Sequence, residues 1–108
     1  MLVAATLALT LASCAPTISG SYYSGDKSVT NTYVTFDFHG KNVTITSYLL
    51  GSEVWQTEAE YSLNKEKTSI TIEIPDGAKD GAKAYSGDFS YEEGDDYIKI
   101  GVIKYTKE

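Results

Sequence analysis

Apolar and polar side chains alternate one by one along most of the chain beyond residue 20. The alternation is most regular in 55–63, where one face would carry Trp55, Thr57, Ala59, Tyr61 and Leu63. A period of two residues is typical of a half-buried strand, because successive strand side chains point to opposite sides. No stretch shows the three-to-four spacing of an amphipathic helix, so the pattern predicts an all-β domain.

One layout recurs three times: an aromatic strand end, a polar turn and then alternating aliphatic residues, at 36–45, 61–72 and 89–100. Three successive hairpins predict a single small antiparallel meander of about seven to eight strands, forming a closed or nearly closed barrel. A sandwich is the alternative. The predicted strands fall near residues 18–24, 33–38, 43–46, 55–63, 69–74, 85–92 and 98–105. A change of parity after Gly101 predicts a bulge or bend inside the last of them.

The opening Gly20-Ser-Tyr-Tyr, the three hairpins and the ending Tyr105-Thr-Lys resemble small lipocalin-like (calycin-like) domains of bacterial surface lipoproteins. This resemblance implies a meander barrel. The Gly-x-Trp signature of true lipocalins is absent, because Gly20 is followed by Ser21 and Tyr22.

The first residues form an uncharged apolar run over 2–13, which is too short to span a bilayer as a helix and matches the apolar core of a secretory signal. It ends in Leu11-Ala12-Ser13-Cys14, which resembles the bacterial lipobox. The resemblance implies cleavage before Cys14 and a diacylglycerol on its thiol, whose two acyl chains suffice for stable membrane anchoring. The alternative is a chance cysteine in an apolar N-terminus.

These features predict a signal peptide over 1–13, a lipidated tether over 14–19 and a barrel domain over 20–108, held outside the cytoplasm at the cell membrane or outer membrane. Secretory signal peptides normally begin with a few Lys or Arg residues, but only Met1 precedes the apolar run here. We therefore expect that the true translation start lies upstream or that the recorded start is truncated. Cys14 is the only cysteine, which excludes an intrachain disulfide.

The net charge is −6 and all nine basic residues are Lys. Nucleic-acid binding depends on neutralising phosphates, and Arg is the preferred residue for bidentate phosphate contacts, so no nucleic-acid partner is expected. The acidity favours a basic macromolecular partner, or simply confers solubility.

No residue set predicts catalysis, a metal site or a cofactor. His39 is the only histidine and lies in a predicted turn, without the partners of a nucleophile–base pair or zinc site. The tandem Asp76-Gly-Ala-Lys and Asp80-Gly-Ala-Lys segments lack the spacing of a calcium loop and predict a flexible polar loop. Glu58 and Glu60 fall on the polar face of their strand, so we expect them to be exposed and no enzyme is predicted.

The aromatic residues are the best candidates for function. Those predicted to point inward, and so to fill the core or contact a ligand, are Tyr22, Trp55, Tyr61, Tyr85, Phe89 and Tyr91. Those predicted to point outward, where tyrosines suit a contact patch, are Tyr23, Tyr33, Tyr48 and Tyr97. We therefore expect a membrane-anchored lipoprotein that binds a protein or a small apolar ligand. The alternatives are a structural envelope accessory and an inhibitor of a basic secreted enzyme such as a lysozyme.

Overall fold

The computed structural model describes residues 16–28 and 30–108. The strands are β1 (Gly20–Asp26), β2 (Thr32–His39), β3 (Asn42–Leu49), β4 (Ser52–Leu63), β5 (Ser69–Glu73), β6 (Gly87–Glu93), β7 (Tyr97–Ile100) and β8 (Ile103–Lys107). A single-turn helix, α1 (Asp80–Lys83), lies between β5 and β6. No helix in the described ranges is long and apolar enough to cross a membrane.

The eight strands form a closed antiparallel barrel in which each strand pairs with the next in sequence. Strand β8 returns to β1 and closes the sheet at two residue pairs, Tyr22 with Lys107 and Tyr23 with Thr106. The predicted all-β meander barrel is confirmed, and the sandwich alternative is not formed. The three repeated hairpins are β2–β3, β4–β5 and β6–β7.

Successive connections of an up-and-down meander alternate between the two ends of the barrel. The turns of the three repeated hairpins therefore share one end, called the closed end below, together with the segment 16–19 that leads into β1. The other end, called the mouth, carries the β1–β2, β3–β4, β5–β6 and β7–β8 connections. The predicted signal peptide and Cys14 lie outside the described residues.

The inward side chains follow the predicted alternation. Along β4, Ala59, Tyr61 and Leu63 are buried, whereas Glu58 and Glu60 between them are exposed as predicted. The largest side chains that are fully buried are Phe36, Ile45, Ile70, Ile72, Ile98 and Val43. An eight-stranded barrel has an interior just wide enough for such side chains to fill it, so burying this apolar set stabilises the closed form.

The last predicted strand is two strands. Ile100 pairs with Ile103 across a two-residue turn, so β7 and β8 form a hairpin and the predicted bulge or bend is wrong. Gly101 begins that turn at φ +64°, a left-handed conformation that glycine adopts without steric cost. The side chain of Val102 at the tip is 92% exposed.

The segment before β6 also differs from the prediction. Strand β6 begins at Gly87, so Tyr85 lies in the preceding connection and not in the strand. The predicted flexible polar loop contains α1, whose Ala82 is fully buried. One helical turn contains too few residues to show a helical period, which is why the pattern did not indicate it.

A bulge interrupts the β3–β4 pairing near the mouth. Ser47 pairs with Trp55 and Tyr48 pairs with Glu53, so Val54 is an extra residue on β4. Because of the extra residue, the β4 side chains before Trp55 point to the opposite side of the sheet from the one that strict alternation would give them. Glu53 is thereby exposed beside Tyr48, although strict alternation would place it inward with Trp55.

A tyrosine hydroxyl ties the N-terminal segment to the closed end. The Tyr61 hydroxyl accepts a 2.7 Å hydrogen bond from the Ile18 amide. It also lies within donating distance of two carbonyl oxygens, 2.7 Å from that of Gly40 and 3.2 Å from that of Ile18. Ile18 is buried there. A single side chain of β4 thus joins the β2–β3 turn to the segment that leads into β1.

We predict that Tyr61→Phe lowers the free energy of unfolding by about 1–3 kcal/mol, because it leaves the buried Ile18 amide without its acceptor. The urea-unfolding midpoint measures the change. The matched control is Tyr23→Phe on the outer face, whose hydroxyl makes no hydrogen bond within the described chain and whose effect should stay within about 0.5 kcal/mol. Equal midpoints for the two variants would contradict the prediction.

Candidate functional site

The mouth of the barrel contains an apolar cavity of about 230 Å³. Its lining residues come from β5, β6, β7, β8 and the β5–β6 connection, and are Ile72, Ala84, Tyr85, Phe89, Ile100, Ile103 and Tyr105. The lining includes no ionised side chain and only two side-chain hydroxyls. A ligand held here would therefore be mostly apolar.

The β7–β8 hairpin provides one wall of this cavity. Ile100 and Ile103 flank its two-residue turn, and Tyr105 lies two positions deeper along β8. Ile103 is 42% exposed, so it belongs to the rim, whereas Ile100 and Tyr105 are buried. The hairpin that the sequence pattern did not indicate therefore forms part of the site.

Tyr85 reaches the cavity from the connection after α1. Its ring centroid lies 5.6 Å from that of Phe36 in an edge-to-face arrangement and 6.0 Å from that of Trp55. Aromatic pairs at such distances attract one another beyond simple area burial. Two neighbouring rings therefore hold Tyr85 in place, although it lies outside a strand.

Helix α1 packs against the indole of Trp55. A Cβ atom at Gly81 would lie 2.8 Å from the indole nitrogen, closer than real Cβ contacts. Glycine is therefore needed for this approach of the helix backbone to the ring. Trp55 contacts Tyr85 but does not line the cavity.

The six aromatic residues predicted to contact a ligand fall into two groups by their distance from the cavity. Tyr85 and Phe89 line the cavity, and Trp55 lies behind Tyr85. The other three, Tyr22, Tyr61 and Tyr91, are buried core residues that do not line it. Ligand contact by any of the six stays a prediction.

The rings of the buried three lie toward the closed end. Tyr22 and Tyr61 pack edge-to-face against Phe38, with centroids 6.1 and 5.1 Å away. The Tyr91 hydroxyl donates to the Glu93 carboxylate at 3.1 Å. Burial, and then the negative charge of Glu93, raise the pKa of Tyr91. These contacts fill the interior toward the closed end.

Aliphatic residues were missing from the predicted site. Ile72, Ile100 and Ile103 line the cavity together with Tyr105. The alternation places Ile72 and Ile100 on an inward face, but it gives no signal that separates a cavity wall from packed core. The change of parity after Gly101 agrees with an inward Ile103, but the turn that brings Ile103 to the cavity rim was not predicted.

Both tyrosines that line the cavity stay neutral at physiological pH. Burial raises the pKa of Tyr85, and burial together with the nearby Tyr85 raises the pKa of Tyr105. A neutral phenol can donate one hydrogen bond and accept others. The cavity is therefore suited to an apolar ligand with at most one or two polar atoms.

The weaker candidates from the sequence lie apart from this cavity. His39 is exposed, and its Nε2 lies 3.1 Å from the Thr44 hydroxyl. Asp88 accepts a 2.7 Å hydrogen bond from Thr71 on the neighbouring strand. Within 16–28 and 30–108, no three His, Cys, Asp or Glu side chains are grouped as metal ligands.

No protein-family model, curated protein or solved structure matches the chain. The closed eight-stranded meander is the architecture of lipocalin-like barrels.

We predict that Tyr105→Phe makes stability fall less steeply at alkaline pH. A tyrosine whose folded pKa is raised stabilises the fold fully below the unfolded pKa, about 10, and that contribution is lost as the pH rises toward the folded pKa. Each such group lowers the free energy of unfolding by about 1.4 kcal/mol per pH unit in that window. Urea-unfolding midpoints are measured from pH 8 to about 11.5. Above about pH 10, the free energy of unfolding should fall with pH less steeply in the variant, by the slope of one tyrosine.

The matched control is Ile103→Val, which trims the same cavity without changing a titratable group. It should shift the whole stability curve and leave its alkaline slope unchanged. An unchanged slope in Tyr105→Phe would show that the phenol does not stay neutral in the folded barrel.

Proposed function

We propose that this protein is a non-enzymatic binding module that holds a small apolar ligand in the mouth of its barrel, on a domain anchored outside the cytoplasm through a lipid on Cys14. The cavity lined by Tyr85, Phe89 and Tyr105 carries the proposal. It is an apolar opening at the mouth, next to a core cluster of buried side chains that includes Phe36.

The volume limits the ligand. An empty apolar cavity of about 150 Å³ in another protein accepts benzene. The 230 Å³ available here accommodates a single ring or a short acyl chain, whereas a long lipid would project into solvent. The ligand class is therefore a small aromatic or aliphatic molecule.

Two kinds of contact would hold such a ligand. The faces and edges of Tyr85 and Phe89 offer aromatic contacts, and Ile72 and Ile100 offer aliphatic ones. The hydroxyls of Tyr85 and Tyr105 can bind a polar atom at one end of the ligand. Apolar burial provides most of the affinity, and a hydroxyl contact gives orientation.

The position of the N-terminal segment supports the anchored arrangement. Pro16 to Ile18 approach the barrel at the closed end, where Ile18 contacts Tyr61. The mouth is at the opposite end. A lipid on Cys14 would therefore hold the closed end toward the membrane and leave the cavity accessible from the far side.

We predict that toluene, used as a probe, binds at the mouth. Methyl NMR spectra of the full chain should show shifts at Ile72, Ile100 and Ile103, which line the cavity. Ile45, fully buried elsewhere in the core, is the internal control and should not shift. The absence of shifts up to the solubility limit of toluene, or equal shifts at Ile45, would contradict binding at this site.

A pair of adjacent variants sharpens the test. Ile103→Trp places a large ring at the cavity rim and should abolish toluene binding. Val102→Trp adds the same ring one position away at the exposed hairpin tip and should preserve binding. Loss of binding in both variants would indicate disruption of the hairpin, and retention in both would place the probe elsewhere.

Anchoring has a separate prediction. Cys14→Ala should move the protein from the membrane to the soluble fraction of the bacterial cell, because it removes the thiol that would carry two acyl chains. Ser13→Ala keeps a small residue before the cysteine and should stay in the membrane fraction. Unchanged partitioning of Cys14→Ala would overturn the anchoring proposal without affecting the cavity.

A further inference from the structure

The outer face of strands β1 to β4 carries a second concavity, a groove of about 250 Å³. It differs from the mouth in chemistry, since polar side chains line most of it. The residues that characterise this outer groove are Tyr33, Thr35, Asp37, Thr46, Tyr48 and Gln56.

Strand register aligns these side chains in rows across the sheet. Thr35 pairs with Thr46, and Thr46 pairs with Gln56, which gives a row of two hydroxyls and an amide. Asp37 pairs with Thr44 one step toward the closed end. Outward residues on neighbouring strands lie about 5 Å apart, so Thr35 and Gln56 flank the buried Thr46 at regular spacing.

Two tyrosines form the end of the groove nearer the mouth. Tyr33 and Tyr48 are stacked, with ring centroids 4.6 Å apart and planes inclined by 20°. The ammonium group of Lys27 lies 5.4 Å from the Tyr33 centroid and pairs with the Glu108 carboxylate at 2.9 Å. The β3–β4 bulge leaves Tyr48 opposite Glu53.

The polar groups are held in place by bonds to one another. Gln56 donates to the hydroxyl of Thr46 at 3.1 Å, and Ser21 donates to one oxygen of Asp37 at 2.9 Å. Thr46 is only 3% exposed, and among the described residues it is the one buried residue that is classed as polar or charged. The Gln56 carbonyl oxygen and the second Asp37 oxygen are further acceptors beside the groove.

We propose that the outer groove binds a neutral saccharide. A sugar ring has hydroxyls that pair with carboxylate, amide and hydroxyl groups, and C–H faces that pack on the negative face of an aromatic ring. The groove provides both kinds of group side by side. Asp37 and Glu108 on its lining, and the net charge of −6, disfavour an anionic ligand.

This site is independent of the apolar cavity. The groove lies on the outer face, whereas Trp55 and Tyr85 belong to the interior. Failure of toluene binding would leave the saccharide proposal intact, and the reverse also holds.

The test is a titration of the isotope-labelled full chain with cellotriose, chitotriose and maltotriose, followed by amide NMR shifts. At least one of the three should shift the amides of Thr35, Thr46 and Gln56 at concentrations up to about 10 mM, and the cavity residues should stay unshifted. A pentalysine peptide is titrated in parallel, because an acidic groove could instead accept a basic partner.

Three variants define the contacts. Tyr48→Ala and Asp37→Asn should each weaken saccharide binding by about tenfold, the second without loss of side-chain volume. The control Tyr97→Ala removes a tyrosine that hydrogen-bonds Glu92 on another part of the surface and should bind normally. Preserved amide dispersion in Asp37→Asn shows that its loss of binding is not unfolding.

Two results would overturn the proposal. One is the absence of groove shifts with all three oligosaccharides, whether or not pentalysine binds there. The other is saccharide binding that survives unchanged in both Tyr48→Ala and Asp37→Asn.

Discussion

Phe36 has no exposed surface, and its ring contacts three others: Phe38 at 6.0 Å, Tyr85 at 5.6 Å and Tyr105 at 4.7 Å between centroids. Phe38 packs against Tyr22 and Tyr61 toward the closed end, whereas Tyr85 and Tyr105 line the cavity. The interior of an eight-stranded barrel is narrow enough for a few rings to fill its cross-section. Phe36 on β2 therefore lies at the boundary between the packed core and the cavity.

The alternation along each strand and the three repeated hairpins predicted the antiparallel meander, because a strict period of two specifies which face of every strand is buried. It placed Tyr61 inside and Glu58 outside correctly. It could not reveal the turn at Gly101, since a two-residue hairpin and a bulge both reverse parity. Nor could it locate the cavity, because the empty volume depends on how side chains from five parts of the chain meet in space.

The β3–β4 bulge adjoins Trp55, which packs against Tyr85, and Tyr48 of the outer groove. Ser47 and Trp55 pair on the inner face, and the next pair, Tyr48 and Glu53, lies on the outer one. Tyr48 faces outward because it follows the inward Ser47 on β3, and it stacks on Tyr33, its direct partner on β2. The bulge therefore places Glu53, and not Val54, opposite Tyr48 at the edge of the outer groove.

The seam between β1 and β8 has a consequence for how the barrel forms. Lys27 and Glu108, whose ion pair lies at that seam, are 81 positions apart, and the two strands share only two residue pairs. Such a contact forms late, because closing a long loop costs chain entropy before any pairing repays it. Until β8 arrives, β1 presents an unpaired edge that can recruit strands from other chains. Until β8 pairs with β1, the domain is therefore an open sheet with an unprotected edge and not yet a closed barrel.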